Sequence, residues 1–280
     1  MKPRNASITC RVTLVAFLVT GLVACAQGGA TEDSQAKSDA VDAEVAAALM
    51  RAGEASRKRG DYAAAAAFYR RAQNADSDAP EPLVGMGESL AAGGAPREAA
   101  QAFRRALAMN ENEPRALRGL GNALIAQDQS DLAIEQFEKA LGVNPRDYRA
   151  YNGLGVAYDS LAEHSKAQEY YYAGLEIAPD DVSLRNNLGL SLAFAGYYKG
   201  AIEILRPLAL RPGATARDRQ NLALAYGLSG DVAQAKKFAR LDMDSREVER
   251  NLNYYAALRS IADPVLRVKS VRAGYAMEKR

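Results

Sequence analysis

The chain has 280 residues, with 36 lysines and arginines against 34 aspartates and glutamates, and a formal net charge of +2. This near balance offers no electrostatic basis for binding nucleic acid, whose phosphates attract an excess of cations. One histidine and two cysteines leave no His/Cys cluster that could hold zinc. We therefore expect no nucleic-acid partner, no metal site and no cofactor.

The first residues of the chain predict an export signal. Three basic residues and no acid accompany the apolar run 12–24, which is too short to span about 30 Å of hydrocarbon. The LVAC series at 22–25 resembles the lipobox of bacterial lipoproteins, in which the cysteine is acylated and the bond before it is cut. The resemblance implies a signal peptide over 1–24 and a lipidated Cys25. An ordinary signal peptide and an uncleaved helix are the alternatives.

Residues 25–45 are small, polar and charged, which is the composition of a flexible, solvated linker. Ala26 follows the cysteine, whereas aspartate at that place favours inner-membrane retention in Gram-negative lipoproteins. The resemblance therefore implies a palmitoylated lipoprotein, anchored in the outer membrane through Cys25 and facing the periplasm. Cleavage after Ala24 would remove three positive charges and lower the net charge to about −1.

A repeat of 34 residues runs through the rest of the chain. It is marked by a glycine row at Gly53, Gly87, Gly121, Gly155 and Gly189, and by an alanine row at Ala65, Ala99, Ala133, Ala167, Ala201 and Ala235. Small residues let neighbouring helices approach closely, while large residues in the same register, from Tyr69 to Leu205, fill the layers between them. Glycine and proline turn signals separate the rows, so each unit is predicted to be a helix, a tight turn and a second helix.

This pattern resembles the tetratricopeptide repeat. The segment AYNGLGVAYDSLAEHSKAQEYYYAGLEIAP, residues 150–179, is close to the family consensus. The resemblance implies an all-α fold, a right-handed superhelical solenoid of helix hairpins with six repeats over 46–249. A capping helix is predicted over 245–262, with Ser245 as its N-cap.

A curved stack of helix pairs has a concave surface lined by its first helices, which suits a peptide or a partner helix. The register places ten polar residues of repeats three to six on that wall: Arg115, Arg118, Asn122, Arg149, Asn152, Asn186, Asn187, Arg217, Gln220 and Asn221. Amides can bond an extended peptide backbone, and arginines favour an acidic group or a C-terminal carboxylate. The alternative is a merely solvated inner face. Arg118 and Asn122 are similar to part of the carboxylate clamp of chaperone-binding repeats, but Gly153 replaces another clamp asparagine.

Catalytic chemistry has few residues to use. No glycine-rich phosphate loop follows a strand, and no G-x-S-x-G elbow is present. His164 has no evident partner to orient it and is expected at the surface. We therefore predict no catalytic residue, against the alternative of a hidden enzyme domain.

Residues 219–261 resemble the end of TadD-type lipoproteins of the tight-adherence (Flp) pilus system, in NLALAYGLSGD followed by NLNYYAALR. That resemblance implies a non-catalytic adaptor or pilotin that helps a secretin to localise or multimerise. Its protein partner would be the secretin or another pilus assembly component. A pilotin of a type IV pilus and a scaffold for cell-wall enzymes are the alternatives. The basic tail, 263–280, is expected to be solvated and frayed, and contact with anionic lipid or a partner is the alternative.

Overall fold

The computed structural model describes residues 28–263, 265–267 and 269–270, and helices are the regular structure of these residues, without a strand among them. The helices are α1 Gly28–Lys58, α2 Tyr62–Ala75, α3 Glu81–Ala92, α4 Pro96–Met109, α5 Pro114–Ile125, α6 Ser130–Val143, α7 Tyr148–Ser160, α8 His164–Ile177, α9 Val182–Phe194, α10 Tyr198–Leu210, α11 Ala216–Ser229, α12 Val232–Ala239 and α13 Ser245–Ser260. The predicted signal peptide, Cys25 and the tail from residue 271 onward lie outside the described residues.

The chain divides into two units, 1–44 and 45–280, and α1 begins in the first and ends in the second. The segment 25–45, predicted to be a flexible linker, is helical from Gly28 onward. Five of its 21 residues are alanine, which has the highest helix propensity, and glutamate, glutamine and lysine, which are also good helix formers, add five more. None of the helices in the described residues combines the length and hydropathy needed to cross a membrane.

In the second unit, consecutive helices pack as hairpins, each pair followed directly by the next. A residue with left-handed backbone recurs every 34 residues in the turn inside each hairpin, at Gly60, Gly94, Asp128, Ala162, Gly196 and Gly230. Glycine adopts this conformation without the steric cost that a Cβ imposes. The turn therefore has a fixed geometry even where Asp128 and Ala162 replace glycine, and the all-α solenoid expected from the repeat is confirmed.

Large side chains of the second helices fit between glycines of the first helices. Phe137 of α6 is fully buried, and a Cβ added to Gly121 of α5 or Gly153 of α7 would lie only 2.6 or 2.3 Å from its ring. The same arrangement places Tyr69 against Gly53 and Gly85, and Phe103 against Gly87 and Gly119. The rows of small and large residues are thus two sides of one packing contact, which sets the spacing between successive repeats.

Helix α13 packs on α11 and α12 and buries Val248, Tyr255 and Leu258, so the predicted capping helix is confirmed. Its N-cap is Asp244, which forms a capping box with Glu247, whereas Ser245 is the first helical residue. An aspartate at this place accepts two backbone N–H groups, which explains why it takes the position predicted for the serine.

Candidate partner-binding groove

The first helices of successive hairpins, from α3 to α11, form a wall that we call the inner wall. Each contacts the next first helix, as in α3 with α5 and α7 with α9, whereas successive second helices do not contact one another to a comparable extent in the described residues. Because the first helices are closer together, the second unit curves with the inner wall on its concave side. All ten residues predicted for the groove lie on α5, α7, α9 and α11 of this wall.

A ladder of hydrogen bonds joins these helices and uses many of the predicted residues. The Arg118 guanidinium of α5 donates to the Asp147 carboxylate at the start of α7. The Asn187 amide donates to the Asn152 side-chain oxygen at a distance of 2.9 Å and so links α9 to α7. Much of the polar surface on the inner wall therefore serves to hold neighbouring repeats together.

Asn186 and Asn221 are buried, with 5% and 2% of their surfaces exposed. The Asn186 amide donates to Asp218 at a distance of 2.7 Å, and the Asn221 amide donates to the Asn186 side-chain oxygen at a distance of 3.1 Å. The sequence predicts both asparagines in a ligand groove, but they lie inside the contact between α9 and α11. A bound peptide could not reach them without separating the two helices.

Asp218 is the centre of this buried polar contact. Its carboxylate accepts hydrogen bonds from the Thr215 backbone N–H and hydroxyl, the Asn186 amide and the Arg211 guanidinium. Burial raises the pKa of Asp218, but the hydrogen bonds from Thr215, Asn186 and Arg211 outweigh it, so the net pKa lies below its ordinary value of 3.8. The carboxylate is therefore held in its charged form.

The remaining predicted residues differ in how far they are engaged. Arg115 forms a two-pronged ion pair with Glu88 of α3, in which Nε donates to Oε1 at 3.1 Å and Nη2 donates to Oε2 at 2.8 Å, although the Arg115 side chain is half exposed. Arg217 is exposed on the first turn of α11, and Gln220 is half-buried one turn later. Neither Arg217 nor Gln220 lines the cleft that the structure forms between α5, α7 and α9.

That cleft, with a volume of about 260 Å³, brings together four of the predicted residues. Its lining consists of Arg118, Asn122, Tyr148, Arg149, Asn152, Asp181 and Ser183. The Arg149 guanidinium carbon lies 4.6 Å from the centre of the Tyr148 ring, a cation–π arrangement that leaves its N–H groups available. Within the described residues Arg149 forms no salt bridge, and its side chain is exposed.

This cleft also includes three residues that were not predicted from the sequence, Tyr148, Asp181 and Ser183. All three lie at the start of a first helix or just before it, where Asp181 accepts the backbone N–H of Leu184 as the N-cap of α9. Ser183 occupies the same repeat position as Arg149, so the 34-residue register could have identified it. The cleft lining thus holds two arginines against the one carboxylate of Asp181, and it can offer a cation, amides and a hydroxyl to an extended acidic segment.

The sequence matches the tetratricopeptide repeat model over residues 35–80, 84–133 and 120–182, which together cover more than half of the chain. The chain belongs to the tetratricopeptide repeat (TPR) family. The comparison with curated proteins gives no match.

Solved structures agree with this TPR assignment. MamA from Desulfovibrio magneticus RS-1 is 26% identical, with a TM-score of 0.51, over 57% of this chain and 91% of that one. PilF of Pseudomonas aeruginosa is 20% identical, with a TM-score of 0.60, over 75% of this chain and 97% of that one. A TPR protein from Parabacteroides merdae is 17% identical, with a TM-score of 0.63, over 75% and 84% of the two chains. At these last two identities the likeness concerns the fold alone.

His164 is buried rather than at the surface, with 7% exposed. Its Nδ1 lies 2.7 Å from Asp159 Oδ1, and the same carboxylate accepts the Tyr171 hydroxyl at 2.9 Å and the Ser191 hydroxyl at 2.7 Å. The histidine thus has a partner that the sequence analysis did not foresee, and the cluster joins TPR hairpins four and five. In the described residues no group of three or more His, Cys, Asp or Glu side chains is placed to hold a metal ion.

Proposed function

We propose that this TPR protein is a non-catalytic, lipid-anchored adaptor or pilotin of a Tad (Flp) pilus system, which acts on a secretin at the outer membrane. The lipobox ending at Cys25 and the TadD-like segment 219–261 support the assignment to that system. The TPR fold supports a role in protein interaction, because helix-hairpin solenoids present extended concave surfaces to other proteins.

The cleft between α5, α7 and α9 carries the proposal for the binding site. Arg149 is an exposed cation that forms no salt bridge among the described residues, although Asp181 lines the same cleft. Asn122 is an exposed amide one helix away. An acidic side chain or a C-terminal carboxylate of the secretin would bond the guanidinium in two-pronged geometry, while Asn122 would bond the peptide backbone. The partner segment therefore binds across the middle of the inner wall.

The binding proposal is tested by capture of the purified secretin on the full chain. Arg149→Glu reverses the charge of the cleft, and we expect it to weaken capture by about tenfold or more, since it replaces an ion pair with like-charge repulsion. Arg146→Glu is the matched control, because Arg146 is exposed just before α7 but does not line the cleft. Equal loss in both variants, or no loss in either, would exclude this cleft as the secretin site.

The cellular role is tested by deleting the gene and assaying secretin multimers and Flp pili. We expect the multimers and the pili to be lost together and to return with the wild-type gene. Normal multimers and pili would reject the Tad role, and loss of a type IV pilus instead would support the alternative pilotin.

The lipid anchor is tested by Cys25→Ser. We expect this variant to move from the outer-membrane fraction to the soluble periplasm, because acylation supplies about 0.8 kcal/mol per buried CH₂. Persistent membrane attachment would contradict the lipobox interpretation.

A further inference from the structure

The second helices α2, α4, α6 and α8 form the convex side of the first four repeats, which we call the outer face. Its N-terminal half, on α2 and α4, carries five exposed arginines against the single acid Glu98. These arginines are Arg70, Arg71, Arg97, Arg104 and Arg105. Its C-terminal half, on α6 and α8, carries five exposed acids against Lys139 and Lys166. These acids are Asp131, Glu135, Glu138, Glu169 and Glu176. The outer face thus has a positive half followed by a negative half.

The charges of the outer face do not hold this chain together. Within the described residues, none of these five arginines and five acids forms a salt bridge. By contrast, Arg115 pairs with Glu88 and Arg118 pairs with Asp147, and both ion pairs join neighbouring repeats. Unpaired charges that are sorted by sign along one surface attract a surface with the opposite order of charge. The outer face is therefore complementary to a partner that carries acids opposite α2 and α4 and cations opposite α6 and α8.

A hollow lies between the two halves, where α4 and α6 are neighbouring second helices. Its volume is about 750 Å³, and its lining includes Leu107 of α4 and Lys139 and Val143 of α6. Met109 at the end of α4 and Val143 at the end of α6 are 41% and 40% exposed. Apolar side chains that remain in water beside a hollow gain free energy when another surface covers them. The boundary between the two halves is thus suited to an apolar contact, with a region of opposite charge on either side.

A two-fold axis between α4 and α6 pairs the positive half of one copy with the negative half of another. The repeat gives the second helices a common direction, so an axis parallel to them brings α4 of one copy opposite α6 of the second copy and keeps each repeat position at the same height. Arg104 and Glu138 share a repeat position, and so do Met109 and Val143. The axis therefore places the arginine opposite the acid and the methionine opposite the valine, once on each of its two sides.

We propose that the outer face is a dimer interface and that its occupant is a second copy of this chain, related by this two-fold axis. Farther from the axis, Arg70 of α2 shares its repeat position with Tyr172 of α8, which is 52% exposed and can accept a cation over its ring. An anionic lipid surface would attract α2 and α4 but repel the acids of α6 and α8, whereas a second copy satisfies both halves. The proposal goes beyond the proposed function, since it requires neither a secretin nor the cleft at Arg149.

Sedimentation velocity of the purified full chain over a concentration series measures the dimer. Raising the salt from about 50 to about 500 mM should weaken it by about tenfold or more, because exposed charges are screened. Arg104→Glu with Arg105→Glu places acids opposite acids, and Glu135→Lys with Glu138→Lys places cations opposite cations, so each double variant should lose about tenfold or more in affinity for itself. An equimolar mixture of the two double variants should dimerise again, since each copy then meets opposite charge on both sides of the axis. A folding defect in either variant would not be rescued in this way.

Lys199→Glu with Arg206→Glu on α10 is the matched control, because it makes the same change in net charge on exposed residues of a second helix outside the proposed contact. Its dimer should form as in the wild type. A wild-type chain that stays monomeric at low salt, equal loss in the control, or a mixture that stays monomeric would overturn the proposal. Binding of a monomeric Cys25→Ser chain to phosphatidylglycerol vesicles, lost in Arg104→Glu with Arg105→Glu, would assign the arginines to a lipid surface and overturn it as well.

Discussion

Because Phe137 packs between two glycines, replacing one of these glycines with alanine should destabilise the fold, although alanine favours a helix. Gly153→Ala adds a Cβ that would lie 2.3 Å from the Phe137 ring, which is fully buried and cannot move aside freely. Alanine in a helix gains about 0.5–1 kcal/mol over glycine, but overpacking a core costs about 1–3 kcal/mol. We therefore expect Gly153→Ala to lower the free energy of unfolding by about 1 kcal/mol.

Gly142→Ala in α6 is the matched control, because a Cβ there would meet nothing within 4 Å. It should raise the free energy of unfolding by about 0.5 kcal/mol through helix propensity alone. Urea unfolding followed by helical circular dichroism gives both values. In a Phe137→Leu background the cost of Gly153→Ala should shrink, as a double-mutant cycle would measure. Equal stabilisation by Gly153→Ala and Gly142→Ala, or a coupling energy of zero between positions 153 and 137, would refute the packing of Phe137 against Gly153.

Three further predictions use the same unfolding assay. Asp218→Asn should lower the free energy of unfolding at pH 7. Because the folded pKa of Asp218 lies below its ordinary value of 3.8, the charged carboxylate stabilises the fold fully above pH 3.8, and the difference in unfolding free energy between wild type and variant should shrink as the pH falls towards the folded pKa. A difference that does not change with pH would contradict this reasoning. Ala162→Gly should stabilise by about 0.5–1 kcal/mol, since Ala162 has a φ of 61° in a turn where glycine is unstrained; Ala195→Gly, in ordinary helical backbone at the end of α9, should not stabilise. Asp159→Ala should cost about 3 kcal/mol, because it leaves His164, Tyr171 and Ser191 without their shared acceptor; a loss below about 1 kcal/mol would mean that water replaces it.

The repeat fold follows from the sequence because one packing unit recurs at a fixed spacing. Gly121 and Phe137 can be paired from their rows before any coordinates are known, since the same two residue types recur together every 34 positions. The capping helix α13 is likewise visible from its acidic first turn and apolar face. The exact N-cap was not, because Asp244 and Ser245 are both good caps and only the chain path decides between them.

The 34-residue register does not predict which side chains of neighbouring repeats form hydrogen bonds with one another. It places Asn186 on the inner wall, but its bonds go to Asp218 and Asn221, which are 32 and 35 residues away. The cluster at His164 left a detectable signal, since Asp159 and Ser191 stand at repeat positions that hold alanine or isoleucine in neighbouring repeats. A polar residue in an otherwise apolar row predicts a buried network, although not which atoms it joins.

The hydrogen-bond ladder changes how the polar inner wall should be interpreted. An asparagine that bonds the next helix stabilises the curvature of the stack, so polar composition alone does not indicate a binding site. What distinguishes the cleft is hydrogen-bonding capacity left over after folding. The Arg118 guanidinium is paired with the Asp147 carboxylate, whereas the Arg149 guanidinium lies over the Tyr148 ring and is exposed to solvent. Within the described residues, Arg149 is therefore the arginine of this cleft that forms no salt bridge, and its donors remain available after folding.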